Sequence, residues 1–131
     1  MKYLIDTHVL IWFMEGLANF SPIAKNIILN KNNEIFISIA SLWEISIKNS
    51  IGKLPLKKNY DEITDVLYDN LIEILPITFA YTVENNKLPF HHRDPFDRII
   101  IAQAIVENID FISADAAFDD YLTGKSISRI W

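Results

Sequence analysis

Residues 3 to 14 read YLIDTHVLIWFM, and this stretch decides the fold. Tyr3-Leu4-Ile5 is an apolar run too short for a helix, so it predicts a buried strand. Asp6-Thr7 then suits the start of a helix over 8–14, because a side-chain oxygen at the N-cap accepts a hydrogen bond from a free backbone N–H. A strand that leads directly into a capped helix is typical of a parallel α/β sheet.

The same alternation of strands and helices continues to the end of the sequence. Apolar runs predict further strands at 34–37, 72–75, 110–113 and 126–130. Helices are predicted from Pro22, with Ile23, Ile27 and Ile28 on one apolar face, and over 40–50, 61–71, 79–86 and 94–106. Alternating elements predict an α/β fold whose parallel sheet is covered by helices on both faces. A length of 131 residues suits a single domain over 1–131.

The composition excludes several classes of protein. Half of the residues are hydrophobic and none is cysteine, so a core can form without disulfides, and thiolate metal sites are excluded. A net charge of −5 argues against a nucleic-acid binder of the usual basic kind. No apolar window approaches the roughly 18 residues of a membrane span, and the first residues are too short an apolar run for a signal peptide. The sequence predicts a soluble, cytoplasmic protein with no membrane partner.

Two aspartates follow predicted strands. Asp6 comes directly after the first strand, and Asp115 closely follows the fourth. In parallel sheets, ligands bind outside the carboxyl ends of the strands, so both side chains are expected at that edge. Each aspartate also suits a helix N-cap, a role worth about 1 kcal/mol. Capping alone would therefore explain either residue.

The run HRDPFDR places two more acids at the start of the most apolar predicted helix. Asp94 suits the N-cap, Pro95 the first helical position and Asp97 the third, as in a capping box with Asp in place of Glu. Both acids also suit the positive end of the helix dipole. Asp97 shares a stripe with Ile101 and Ala104, so it is expected to point towards the rim of the core.

Glu44 lies on an apolar stripe of its predicted helix, with Ala40, Ile47 and Ile51. Unpaired glutamate is rarely buried, so this position requires an explanation. The plain alternative is a surface ion pair with Lys48 one turn on, worth about 0.3–0.5 kcal/mol.

Several carboxylates close together repel, and each raises the pKa of the others. A divalent cation such as Mg²⁺ or Mn²⁺ removes that repulsion and prefers oxygen ligands. Such ions serve phosphodiester cleavage in many nucleases. A zinc hydrolase would instead need histidines at ligand spacing, which His8, His91 and His92 lack. We expect His8 to pack or cap locally, and His91 and His92 to lie in a loop near bound phosphate.

Four motifs in order, LIDTHVLIW, SIASLWEISIKNSIGKL, LPFHHRDPFDRIIIAQA and FISADAAFDDY, resemble the PIN domain family. They resemble most closely its VapC-like branch, the toxins of type II toxin–antitoxin systems. The resemblance spans essentially the whole chain. It implies a three-layer α/β/α sandwich with a central parallel sheet of about five strands. It also implies Mg²⁺- or Mn²⁺-dependent endoribonuclease activity on RNA, a homodimer, and inhibition by a cognate antitoxin whose tail enters the acidic pocket.

The resemblance also implies roles for individual residues. The metal ligands that match the family motifs are Asp6, Glu44, Asp97 and Asp115, and Asp94 is an extra acid that replaces or assists Asp97. Thr7 and Ser38 are candidates for a hydrogen bond to a ligand or water, although a local turn explains Ser38 better. Arg93 and Arg98 are candidates for phosphate contact, although Arg98 would also suit a surface position that balances Asp94.

Three other classes of protein compete with this interpretation. Asp6 suits the nucleophile of a phosphatase of another α/β fold, but the second aspartate of that motif is absent. A receiver domain needs adjacent acids and a late lysine, which this sequence lacks. A PIN-like protein that binds RNA or a partner without catalysis stays open. The apolar segments 11–14 and 23–29 predict either core packing or a surface for an antitoxin helix or a second copy.

Overall fold

The chain alternates between strands and helices, as its apolar pattern predicts. The computed structural model describes residues 1–16 and 20–131. Its elements in chain order are β1 (Lys2–Ile5), α1 (Thr7–Glu15), α2 (Pro22–Leu29), β2 (Glu34–Ser38), α3 (Ile39–Ser50), α4 (Ile63–Asp69), β3 (Ile72–Leu75), α5 (Phe79–Lys87), α6 (Pro95–Glu107), β4 (Asp110–Ile112), α7 (Asp119–Leu122) and β5 (Arg129–Ile130). Two short 3₁₀ turns, Tyr60–Glu62 and Ala116–Phe118, precede α4 and α7.

The strands of the described residues form one parallel five-stranded sheet in the order β3-β2-β1-β4-β5. β2 and then β3 lie on one side of β1 in the sheet, and β4 and then β5 lie on its other side. The point where the order reverses lies between β1 and β4, whose ends are joined by a hydrogen bond from the Asp6 amide to the Ile112 carbonyl. In sheets of this kind, the crevice at the carboxyl end of such a point is the usual ligand site.

Helices cover both faces of the sheet, which confirms the predicted α/β fold. Ile5 and Ile37 pack on one face against buried residues of α1, α2 and α4. Leu4 and Phe111 pack on the other face, against the apolar side of α6. Because side chains alternate between the two faces of a strand, the continuous apolar run of β1 supplies both layers of the core.

The structure corrects several details of the predicted helices. Ile28 is buried on α2 as predicted, but Ile23 is exposed and Ala24 faces the core in its place. The helix predicted over 61–71 ends at Asp69, since Leu71 adopts a left-handed φ of 56° that turns the chain into β3. The strand predicted over 126–130 is reduced to Arg129–Ile130.

The apolar face of α3 also differs from the prediction. Ala40 and Glu44 are buried, but Ile47 and Ile51 are exposed. The buried face runs instead through Ser41 and Ile45, each one position further along the chain than Ala40 and Glu44. No helix within the described part of the chain is long and apolar enough to cross a membrane.

Candidate active site

Asp6 lies at the carboxyl end of β1 and caps α1. Its Oδ1 accepts a hydrogen bond of 2.8 Å from the Val9 amide, and its Oδ2 accepts one of 2.5 Å from the Ser113 hydroxyl. The side chain is buried, and this burial raises the pKa of Asp6 despite those two hydrogen bonds. Asp6 therefore caps α1 and also lies at the predicted edge of the sheet, so the capping role does not exclude a role in the site.

Ser113 connects the acids at the ends of β1 and β4. Besides donating to Asp6, its hydroxyl accepts a hydrogen bond of 3.0 Å from the Asp115 amide. Asp115 is exposed and caps the following 3₁₀ turn through the Ala117 amide. Ser113 was not predicted as a site residue, although a polar residue at the end of a buried strand, two positions before Asp115, was an available signal.

Glu44 is buried on α3 with one carboxylate oxygen paired and the other unpaired. Its Oε2 lies 2.8 Å from the Lys48 Nζ, so the ion pair that the sequence offered as an alternative is present. It is not a surface pair, because the Glu44 side chain is only 5% exposed while that of Lys48 is 45% exposed. Among the described residues, no hydrogen-bond donor reaches the buried Oε1. An unpaired buried acceptor is costly, so this oxygen is available to bind a cation or a water molecule.

Asp94 and Asp97 begin α6 as the sequence predicts. The Asp94 Oδ1 accepts hydrogen bonds from the amides of Phe96 at 2.8 Å and Asp97 at 3.4 Å. Burial raises the pKa of Asp97 to about 7, with additional increases from the charges of Asp94, Glu44, Asp6 and Asp115. Acids from β1, α3, α6 and the end of β4 thus lie close enough to affect one another.

The donor atoms fit a hard divalent cation, but they are not gathered around one point. Carboxylate oxygens are the ligands that Mg²⁺ and Mn²⁺ prefer. A bound cation would pair the Glu44 Oε1 and would oppose the rise in the pKa of Asp97. Within 1–16 and 20–131, however, no three acidic or histidine side chains are arranged to hold a metal ion. The structure places the four predicted ligands in one region and leaves them apart.

A cleft of about 250 Å³ opens beside Asp6 and Asp115. Its other lining residues are His8, Trp12 and Ala114. His8 and Trp12 lie one turn apart on α1, with their ring centroids 5.8 Å from each other. The cleft therefore combines carboxylates with flat rings, a combination that suits a nucleotide.

Arg98 holds the loop before α6. Its guanidinium donates to the carbonyls of Pro89 and Asn85, at 2.9 and 3.1 Å, and lies over the Phe90 ring. These hydrogen bonds give Arg98 a structural role, so its phosphate contact stays a prediction. Arg93 is exposed, and its phosphate contact also stays a prediction.

Tyr121 holds the same loop from α7. Its hydroxyl oxygen accepts hydrogen bonds from the backbone amides of His91 and His92, at 3.1 and 2.7 Å. The His92 ring stacks on the Tyr121 ring, with 5.9 Å between centroids. Both histidines lie in a loop, as predicted. Tyr121, which positions the chain leading to Asp94, was not predicted from the sequence.

Thr7 and Ser38 make local contacts. The Thr7 hydroxyl donates to the Ser41 hydroxyl at 2.9 Å, which links α1 to α3. The Ser38 hydroxyl accepts from the Ala40 amide at 3.0 Å and caps α3. The local turn considered for Ser38 is therefore what the structure contains.

Comparisons with known proteins give the family and the fold of the chain. The family profile described as PIN domain matches residues 3–122. A search of curated proteins gave no match. Among solved structures, the chain is similar to VapBC2 from Rickettsia felis bound to a DNA fragment from their promoter, with a TM-score of 0.72, 18% identity and 98% of each chain covered. It is also similar to DNA-bound VapBC from Salmonella typhimurium, with a TM-score of 0.70, 16% identity and 98% of each chain covered.

A third solved structure, VapBC-1 from nontypeable Haemophilus influenzae, has a TM-score of 0.65 and 20% identity, and covers 97% of this chain and 96% of its own. At such identities the similar structures establish the fold alone. The profile match spans nearly the whole chain. The chain belongs to the PIN domain family.

Proposed function

We propose that residues 1–131 form one metal-dependent endoribonuclease domain, the toxin of a type II toxin–antitoxin pair. The observation that carries this proposal is the placement of acids from separate segments in one region at the β1–β4 edge, where burial, and then the charges of the neighbouring acids, raise the pKa of Asp97 to about 7. Acids that destabilise one another in this way are typical of functional sites. The similarity in fold to VapBC structures supports the toxin role.

Asp6, Glu44, Asp97 and Asp115 would hold Mg²⁺ or Mn²⁺. The bound ion would supply activation of water and stabilisation of the charge that develops on the phosphate. The chain fixes Asp6 through the Val9 amide and the Ser113 hydroxyl, and each accepting oxygen keeps further lone pairs. Asp94 fixes the start of α6 and thereby positions Asp97. Glu44 supplies an unpaired oxygen that would bind a metal or orient the attacking water.

The proposed substrate is single-stranded or looped RNA in the cleft beside Asp6 and Asp115. There the rings of His8 and Trp12 would stack against a base, and Arg93 would contact a phosphate. Water attacks the phosphorus in line, the bond from phosphorus to the 3′ oxygen breaks, and the products are a 5′-phosphate and a 3′-hydroxyl. We place this activity in the cytoplasm.

The activity is tested with the purified chain and total RNA in Mg²⁺ or Mn²⁺ buffer. We expect internal cleavage of RNA, its loss in excess chelator, and little cleavage of single-stranded DNA of matched sequence. End mapping should find 5′-phosphates at the new ends. Intact RNA under all metal conditions would contradict the proposal.

One observation favours a second function, in which the domain binds RNA or a partner without catalysis. No three acids in the described chain are arranged to hold an ion, as expected of a degenerate pocket. No comparable observation favours a phosphatase, because the run Asp6-Thr7-His8 lacks the second aspartate of that motif. Metal binding separates a nuclease from a degenerate pocket.

Two surfaces support the proposed protein partners. A cavity of about 350 Å³ lies between α1 and α4, and its lining combines apolar residues such as Phe13, Met14 and Val66 with charged ones such as Glu15 and Lys57. We assign this cavity to an amphipathic segment of the cognate antitoxin. Ile39, Trp43 and Ile47 form an exposed stripe on α3, which we assign to a second copy of the chain in a homodimer.

Both assignments are tested by native mass spectrometry of the chain alone and co-expressed with the product of the adjacent reading frame. We expect a dimer alone and a hetero-complex after co-expression. Val66→Glu should prevent the hetero-complex and leave the homodimer. Trp43→Glu should prevent the homodimer and leave the hetero-complex. Each change places a charge among the apolar residues of one surface. A monomer that captures no partner would contradict both assignments.

A further inference from the structure

Lys48 occupies an unusual position beside the candidate active site. Its ammonium lies 2.8 Å from the Oε2 of Glu44, one helical turn away on α3. Pairs with this spacing on an exposed helix contribute little, but here the carboxylate is buried and the lysine reaches it from the protein surface. Lys48 is thus the positive partner of a buried acid.

The charges of the acids that begin α6 also act on this ammonium. The hydrogen bond to Glu44 raises the pKa of Lys48, and the charges of Glu44, Asp94 and Asp97 raise it further. The other ion pairs of the described chain, Lys2–Glu34 and Arg129–Asp119, involve none of these acids. In the part of the chain that the structure describes, Lys48 therefore supplies the paired positive charge of the acid cluster.

The two oxygens of Glu44 have different surroundings. Lys48 binds Oε2, while Oε1 is buried and has no donor among the described residues. The lysine therefore sets which oxygen stays unpaired, and its charge replaces part of the positive charge that a divalent cation would bring.

We propose that Lys48 is a resident counter-ion that positions Glu44 and competes with the divalent cation for the acid cluster. This inference rests on the proposed function, because it assumes that these acids bind a metal. Two opposite consequences follow. Without metal, Lys48 stabilises the fold by neutralising a buried carboxylate. With metal, its positive charge opposes binding, since like charges a few ångströms apart repel strongly where solvent is partly excluded.

The test uses Lys48→Gln and Lys48→Met in the whole chain. Glutamine offers Glu44 a hydrogen-bond donor but carries no charge. Methionine keeps most of the length of the side chain but has neither a donor nor a charge. Mn²⁺ affinity is measured by titration calorimetry at fixed ionic strength, and Tm is measured in chelator. We expect both variants to bind Mn²⁺ about tenfold more tightly than the wild type and to melt at a lower temperature without metal.

Two variants serve as controls. Lys48→Arg keeps the charge and should bind Mn²⁺ as the wild type does. Lys25→Met removes an exposed lysine from α2 and should change neither quantity. Lys48→Gln is also combined with Glu44→Gln. In that background, Lys48→Gln should change Mn²⁺ affinity much less than it does in the wild type, because the effects of neighbours that act through one another are not additive.

A purely structural lysine would give a different result, because its loss would weaken metal binding or leave it unchanged. Suppose that the wild type binds Mn²⁺ and cleaves RNA, but Lys48→Gln binds Mn²⁺ more weakly than the wild type or equally well. That result would overturn the inference about Lys48 and leave the proposed function standing. Absence of Mn²⁺ binding by the wild type would overturn both the inference and the proposed function. If Lys48→Met does not fold, Lys48→Gln carries the test.

Discussion

Replacing Asp97 with asparagine is expected to lower RNA cleavage by about a thousandfold and yet to stabilise the metal-free protein above pH 7. The two effects have one cause. Burial and four neighbouring carboxylates raise the pKa of Asp97 to about 7, so its ionised form is unfavourable without a cation. The proposed nuclease activity needs that charge to bind metal, whereas the fold does not.

The sign of the stability change follows from proton linkage. Below about pH 4, Asp97 is protonated in both the folded and the unfolded chain, so it contributes nothing. Between pH 4 and 7 the folded chain binds the proton more tightly, and stability falls as pH rises. Above pH 7 the full penalty is present, and asparagine removes it. Solvent screening of this partly exposed group limits the gain to about 1 kcal/mol, or roughly 4 °C in Tm.

The measurement is thermal unfolding of both proteins in chelator at pH 4 and pH 8, with RNA cleavage in Mn²⁺ alongside. Asp65→Asn is the matched control, because Asp65 occupies the same third position of α4 and is exposed. It should keep full activity and gain no stability. Equal Tm values for the wild type and Asp97→Asn at pH 8 would contradict the proposed crowding of acids.

Adding Mn²⁺ at about a hundred times its Kd is expected to stabilise the wild type by about 2.7 kcal/mol, because a ligand that binds only the folded state shifts the equilibrium by mass action. This corresponds to a rise in Tm of roughly 10 °C. The cation would also relieve the repulsion that raises the pKa of Asp97. The rise should therefore be larger at pH 8 than at pH 5, where protons compete for the ligands.

The matched variant is Asp6→Asn, which keeps an oxygen to cap α1 but loses the charge. It should fold and show little rise in Tm with Mn²⁺. K⁺ at equal ionic strength should stabilise neither protein. If Mn²⁺ leaves the Tm of the wild type unchanged, the non-catalytic alternative becomes the better description of this domain.

The fold follows largely from local sequence. The apolar runs at β1 and β4 are too short for helices, and each is followed by a residue that caps the next element. Such patterns depend on backbone geometry and solvent exclusion, which act over a few residues. They predicted four of the five strands of the described chain well. They failed at β5 and at Leu71, where neighbouring elements set where the chain turns.

The candidate site could be predicted only in part. Asp6 and Asp97 were identified as acids at the ends of elements, a position visible in the sequence. Ser113 and Tyr121 were not, because their contacts reach residues 107 and about 30 positions away. Local pattern carries no information about such contacts. The direction of the Arg98 side chain, towards loop carbonyls, was likewise not predictable.

The sequence by itself determined the alternation of strands and helices, the caps and the all-oxygen chemistry of the acids, because these depend on residue type and local spacing. Only the tertiary structure decided that Glu44 is buried beside Lys48, that Asp97 is affected by acids from four elements, and that Ser113 joins two strand ends. Burial and electrostatic coupling depend on distances across the fold, and these exist only once the sheet has brought distant segments together.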